Sequence, residues 1–177
     1  MANVLEVGPA TEPVSLTEAK LHLRVDGNDE NTLVTALIIA ARQTAEAYTR
    51  RAFVTQTWCY ICDRLSGTVT LSYQPIQSVA SVTVDGEELD ETAYEVDIAT
   101  GRIRVFGSYI ASSIGGIIIT YDAGYGVADA VPQAIKQAIL LMVGHWYENR
   151  EAITTSSAYE LPLAAKVLLA PYQVMLL

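Results

Sequence analysis

The sequence predicts an α+β fold: a mainly helical body of four helices, with an antiparallel β module inserted between the second and third. The hydrophobic period carries this reading, since apolar positions recur at helical spacing in both chain ends and at period two in the middle. Asp85-Gly86 and Thr100-Gly101 mark tight turns within that middle. Hydrophobic residues make up 51% of the 177 positions and charged ones only 18%, so the chain can bury enough apolar surface to offset its ordering entropy. Residues 1–53 and 128–177 are expected to form the helical body, and residues 54–127 the β module.

Helices are expected near residues 15–24, 30–51, 132–149 and 163–170. Ser15-Leu16-Thr17-Glu18 fits a capping box, and Leu16, Ala19 and Leu23 share one face of the helix it opens. Asp26-Gly27-Asn28-Asp29 breaks that helix and caps the next, whose apolar face is Val34, Leu37, Ile38, Ala41, Ala45 and Tyr48. Arg50 and Arg51 are placed in its last turn, where cations suit the helix dipole. The third helix follows Pro132 and shows an apolar face of Ile135, Ala138, Ile139, Met142 and Trp146. Glu151 to Tyr159 reads as a polar loop, and Pro171 stops the fourth helix. Antiparallel strands are expected between about 54 and 122: Thr55–Ile61, Val69–Tyr73, Val79–Val84 and its Asp85-Gly86 partner, Tyr94–Ile98, Arg102–Phe106, and a central apolar strand, Ile117–Tyr121.

The formal net charge of -9 is the opposite of what a phosphate-gripping protein shows, so direct DNA binding is not expected. Seven acids from Asp85 to Asp97 (with Glu87, Glu88, Asp90, Glu91 and Glu95) read as a solvated sheet edge protected against sticking. The apolar run Ala138–Val143 is far too short for a membrane span, and the start, MANVLEVGPATEP, shows no signal-peptide pattern.

Motifs that suggest chemistry do not hold together. Cys59 and Cys62 form C-x-x-C, but three residues of strand span about 10 Å and point the thiols to opposite faces, so they read as buried structural thiols. Gly124-x-Gly126-x-x-Asp129 places an acid where a dinucleotide loop needs its third glycine. Asp26, Asn28 and Glu30 alternate like a calcium loop, but Asn31 and Leu37 stand where its glycine and its last glutamate belong. His145, between Gly144 and Trp146, reads as packing or interface rather than as a general base. No catalytic residue, cofactor-binding residue or metal ligand is assigned.

Residues Glu12–Val25, Ala41-Arg42, Glu46–Arg51, Thr55–Trp58, Tyr121–Gly126, Val131-Pro132, Lys136–Leu141, His145–Glu151 and Leu168–Tyr172, in this order, carry a likeness over nearly the whole chain. In them the chain resembles the head–tail connector (adaptor, or head-completion) proteins of tailed double-stranded DNA phages and prophages. The middle, from Arg64 to about Ser113, is the least familiar part. The resemblance implies a non-enzymatic virion subunit at the head–tail junction, made in the bacterial host cytoplasm. It implies a homo-oligomeric ring, dodecameric in the particle, docked on the portal protein above a tail-side completion (stopper) protein. DNA then passes through the lumen without specific binding, and no membrane is involved. Trp146 and Tyr147, with the apolar end Tyr172, Val174, Met175, Leu176 and Leu177, are the expected partner interface. The rival readings are a tail-side neck or completion protein of the same particle, a nucleic-acid binder, which would need a basic stripe, and a small enzyme with an unrecognised site.

Overall fold

The structure is a computed structural model, and it describes residues 1–149 and 161–174. The chain forms two compact units. One gathers residues 1–10, 50–125 and Val174; the other gathers residues 11–49 and 126–173.

The first unit has eight strands among the described residues: β1 (Ala2–Val7), β2 (Gln56–Cys62), β3 (Arg64–Thr70), β4 (Ile76–Val84), β5 (Glu87–Glu88), β6 (Tyr94–Asp97), β7 (Arg102–Ile110) and β8 (Ile117–Ala123). They make a five-stranded sheet, β1-β2-β8-β4-β5, and a three-stranded sheet, β3-β7-β6, with antiparallel pairing throughout. As expected, β8 is central. Alternate residues of β2 and β8 are buried, which puts Trp58, Tyr60, Ile117, Ile119 and Tyr121 in one core with Leu65, Leu71, Val82 and Ile103. Trp58 stacks on Tyr73, ring centroids 3.6 Å apart.

Two strands depart from expectation. β1 lies outside the 54–122 segment and pairs with β2 along an exposed edge, Val4 opposite Cys59. Nothing local marks it, because its partner stands fifty or more residues away. β3 begins at Arg64 rather than Val69; apart from the buried Leu65 its sequence, RLSGTVT, is largely exposed, and its pairing is interrupted by a bulge at Ser66/Gly67.

The second unit holds α1 (Leu16–Leu23), α2 (Asn31–Thr49), α3 (Gln133–Glu148) and α4 (Leu163–Leu169). The capping box is present: Ser15 Oγ accepts from the Glu18 amide at 3.2 Å, and the Glu18 carboxylate accepts from the Ser15 amide at 2.7 Å. The Ser15 hydroxyl, which donates to the Glu18 carboxylate at 2.7 Å, and then the Ser15 amide hold that carboxyl below its ordinary range. The placement of Arg50 and Arg51 in the last turn of α2 is corrected: the helix ends at Thr49, and Arg50 leaves it at φ 55. The buried face of α2 contains Val34, Ile38, Ala41 and Ala45 as expected, and also Arg42 and Glu46. That of α3 contains Ile135, Ala138, Ile139 and Met142, and also Lys136. The expected polar loop Glu151–Tyr159 lies outside the described residues.

Candidate functional site

The expected interface residues fall into two groups. Trp146 and Tyr147 occupy the last turn of α3 and are half-buried, and the Tyr147 hydroxyl donates to the Glu30 carboxylate just before α2. Tyr172, in a short turn after α4, is also half-buried, and the neighbouring Gln173 donates from Nε2 to the Tyr48 carbonyl at 3.3 Å. Tyr48 lies eighteen residues after Glu30 along α2, so the two groups stand at opposite ends of that helix, about 27 Å apart. They do not make one patch. Val174 is half-buried, and Met175, Leu176 and Leu177 lie outside the described residues.

The strongly exposed apolar side chains lie elsewhere. Leu21 projects from α1 away from the face that buries Ala19; Leu163 and Val167 lie one turn apart on α4; Phe106, Ile110 and Ile114 follow one another along and after β7. Sequence reading had a signal for Leu21, since it falls off the apolar face, but none for Ile114, whose exposure depends on how its loop closes.

The acidic cluster divides. Glu87 and Glu88 are β5, a two-residue acidic edge that blunts the five-stranded sheet, as expected of a protected edge. Glu95 and Asp97 lie on β6, and the register sets them opposite Arg104 and Arg102, with Asp97 and Arg102 3.8 Å apart. Bases absent from the linear cluster are thus supplied across the sheet. Asp85, Asp90 and Asp97 accept hydrogen bonds chiefly from Ser112, Thr92 and Thr100 respectively, which holds each carboxyl below its ordinary range.

The chemistry-like motifs take structural parts. In the Asp26–Asn31 turn, the Lys20 ammonium donates to the Gly27 carbonyl and to Asn28 and Asn31 Oδ1, so a side-chain cation already fills the oxygen cage. Gly124 has φ 135, and a Cβ there would stand 2.6 Å from the Val54 carbonyl oxygen; the residue is glycine for close backbone passage. Asp129 is exposed and only 4.0 Å from the Lys136 ammonium. Among the described residues no group of three or more His, Cys, Asp or Glu side chains is placed to hold a metal ion, and no helix is long and apolar enough to cross a membrane.

Cys62 is buried, whereas Cys59 is only half-buried: its Sγ donates to Glu6 Oε2 at 3.1 Å, which corrects the reading of two buried thiols. Burial raises both thiol pKa values, and the Glu6 carboxylate adds to the rise at Cys59. The thiolate fraction is therefore depressed at neutral pH. Alkylation by iodoacetamide at pH 8 is expected to be slower at both than at a free cysteine, with Glu6→Gln accelerating Cys59 alone. Equal rates for Cys59 and a free thiol would contradict this.

Similarity to known proteins agrees with this arrangement. The fold is similar to a chain in the structure described as the neck of an empty GTA particle computed with C6 symmetry, with 21% identity, coverage of 100% of this chain and 97% of that one, and a TM-score of 0.78. A chain in the virion of a native gene transfer agent (GTA) particle aligns with 21% identity, the same coverage and a TM-score of 0.79. Another, in the neck of a native GTA particle computed with C12 symmetry, aligns with 19% identity over 98% of this chain and 97% of that one, with a TM-score of 0.72. No curated protein matches the sequence. The head completion protein family matches residues 13–159, most of the chain, and the chain belongs to that family.

Proposed function

We propose that this chain is a non-enzymatic structural subunit of the head–tail junction in a tailed phage or phage-like particle. Copies form a ring, docked on the portal protein on one side and facing the tail-side completion protein on the other, with DNA passing through the lumen. The observation that carries this is the family match over residues 13–159, joined to an end-to-end likeness in fold to chains from the necks and virion of such particles. Necks described with C6 and with C12 symmetry are both compatible with twelve copies around the axis. The net charge of -9 suits a lumen that DNA passes without sticking. Exposed apolar side chains on both units suit a subunit that is covered in its assembly.

The apolar C-terminal end is the proposed portal contact. Burying side chains such as Val174, Met175, Leu176 and Leu177 contributes about 1.5–3 kcal/mol each, whether against a partner or against the chain itself. Tyr172 is already half-buried and Gln173 is anchored to Tyr48, so the informative truncation begins after Gln173. Deleting residues 174–177 is expected to leave the melting temperature nearly unchanged and to abolish binding to purified portal, measured by mass photometry. With the full chain, the same measurement should show a portal carrying about twelve added copies. A truncated chain that unfolds, or docks at full strength, sinks the tail contact. Failure of the full chain to bind portal, with binding to a tail-side protein instead, assigns it to the tail side.

A further inference from the structure

Ile114 is 99% exposed, yet the loop that carries it is firmly held. The Asp85 carboxylate accepts from the amides of Ser112 at 2.8 Å and Ser113 at 3.3 Å, and from the Ser113 hydroxyl at 3.0 Å. The Asp63 carboxylate accepts from the Gly115 amide at 2.6 Å, and the Asp63 carbonyl from the Ala111 amide at 3.0 Å. The Gly116 carbonyl accepts from the Asp85 amide at 2.7 Å. A Cβ on Gly116 would meet Ser113 Oγ at 2.7 Å and Ala111 Cβ at 2.8 Å, so the loop is closed against itself. A loose loop would let an isoleucine fold back onto the protein; this one keeps it outward. The two carboxylates that hold it, Asp63 and Asp85, are both exposed and place negative charge at the base of the loop.

The helical unit offers the complement. An open groove of about 510 Å³ lies between α1 and the turn that follows it, lined by the apolar Leu21 and Val25 and by the charged Lys20, Arg24 and Asp26. Leu21 is 81% exposed there. The Lys20 ammonium is already engaged with Gly27, Asn28 and Asn31. Arg24 leaves α1 at φ 56, is exposed, and forms no ion pair among the described residues, so its guanidinium is the cation on offer.

We infer that the Ile114 loop of one copy docks in the α1 groove of the next copy, Ile114 against Leu21 and Val25, with the exposed Asp63 and Asp85 carboxylates at the loop base facing Arg24. Knob and groove lie on different units of the same chain, so the contact is heterologous. Each copy presents both halves, and repetition generates a ring if the rotation closes. The inference deepens the ring reading by naming the contact between neighbours.

The test uses the full chain in a Cys59→Ser, Cys62→Ala background, carrying Leu21→Cys together with Ile114→Cys, oxidised with and without portal. A ladder of covalent dimers, trimers and higher species on a non-reducing gel is expected, while each single cysteine stops at dimers. Adding Arg24→Glu should remove most of the ladder. No more cross-linking in the double variant than in the single ones, or an internally bridged monomer, overturns the contact. A portal-bound ring without a ladder overturns this contact alone; a ladder without portal binding keeps the contact and overturns the portal reading.

Discussion

Replacing Arg42 with methionine is expected to lower the free energy of unfolding by about 3–5 kcal/mol, read as a fall in the urea midpoint. Arg42 is 5% exposed in α2, and its Nε and Nη1 donate to Glu12 Oε2 and Glu46 Oε2, each at 2.7 Å. Burial works against the guanidinium charge, but the hydrogen bonds and charges of the two glutamates outweigh it and leave the Arg42 pKa raised. The substitution removes the counter-charge from Glu46, which is itself only 4% exposed. Breaking such a pair costs more than the pair contributes, because a carboxylate stays buried without its cation. The double variant Arg42→Met, Glu46→Leu should therefore recover most of the loss, since apolar side chains then fill the site. An Arg42→Met midpoint equal to that of the unaltered chain would contradict this account, as would a double variant weaker than the single one.

Gly124→Ala is expected to cost about 3 kcal/mol or more, combining a backbone conformation that L side chains rarely adopt with a steric clash. Gly124 stands at the end of β8 with φ 135; a Cβ would lie 2.6 Å from the Val54 carbonyl oxygen and 2.8 Å from the Thr55 amide nitrogen. Neither is a flexible side-chain end, so the start of β2 would have to move. The Gly124 amide also donates to the Pro75 carbonyl at 2.9 Å, and its carbonyl accepts from Gln77 Nε2 at 2.8 Å, which ties the same point to β4. Gly126→Ala is the control: φ is 116, but its Cβ would meet only Ala130, at 3.8 Å. It should cost only the strain, about 1–3 kcal/mol. Thermal melts in which the two variants fall equally would show that the approach to Val54 is not what demands glycine.

Much of the architecture was legible because it is local. The capping box at Ser15 and Glu18 is a contact between residues three apart. The Asp85-Gly86 turn has both residues at positive φ, the form a two-residue hairpin loop needs. The periods of α2 and α3 come from burying one face of each helix, and the continuous apolar run of β8 from its central place in the sheet. The expected interface residues were less legible as a group: Trp146 and Tyr147 look continuous with Tyr172 in composition, yet α2 separates them by about 27 Å.

Hydrophobic period, caps and turn residues in the sequence determined four helices and an antiparallel module inserted between the second and third, and the order of its segments carried the resemblance to head-completion proteins. Tertiary structure alone decided that residues 2–7 form an edge strand, since pairing supplies what their composition does not. It decided that Arg42 and Glu46 are buried, since a charge is tolerated inside only where folding brings its counter-charge and hydrogen bonds to it. It decided also that Ile114 points outward, because Asp63 and Asp85, far off in sequence, hold its loop. The physical reason is common to all three: contact energies between residues distant in the chain depend on where folding places them, and side-chain period records only which face is turned inward.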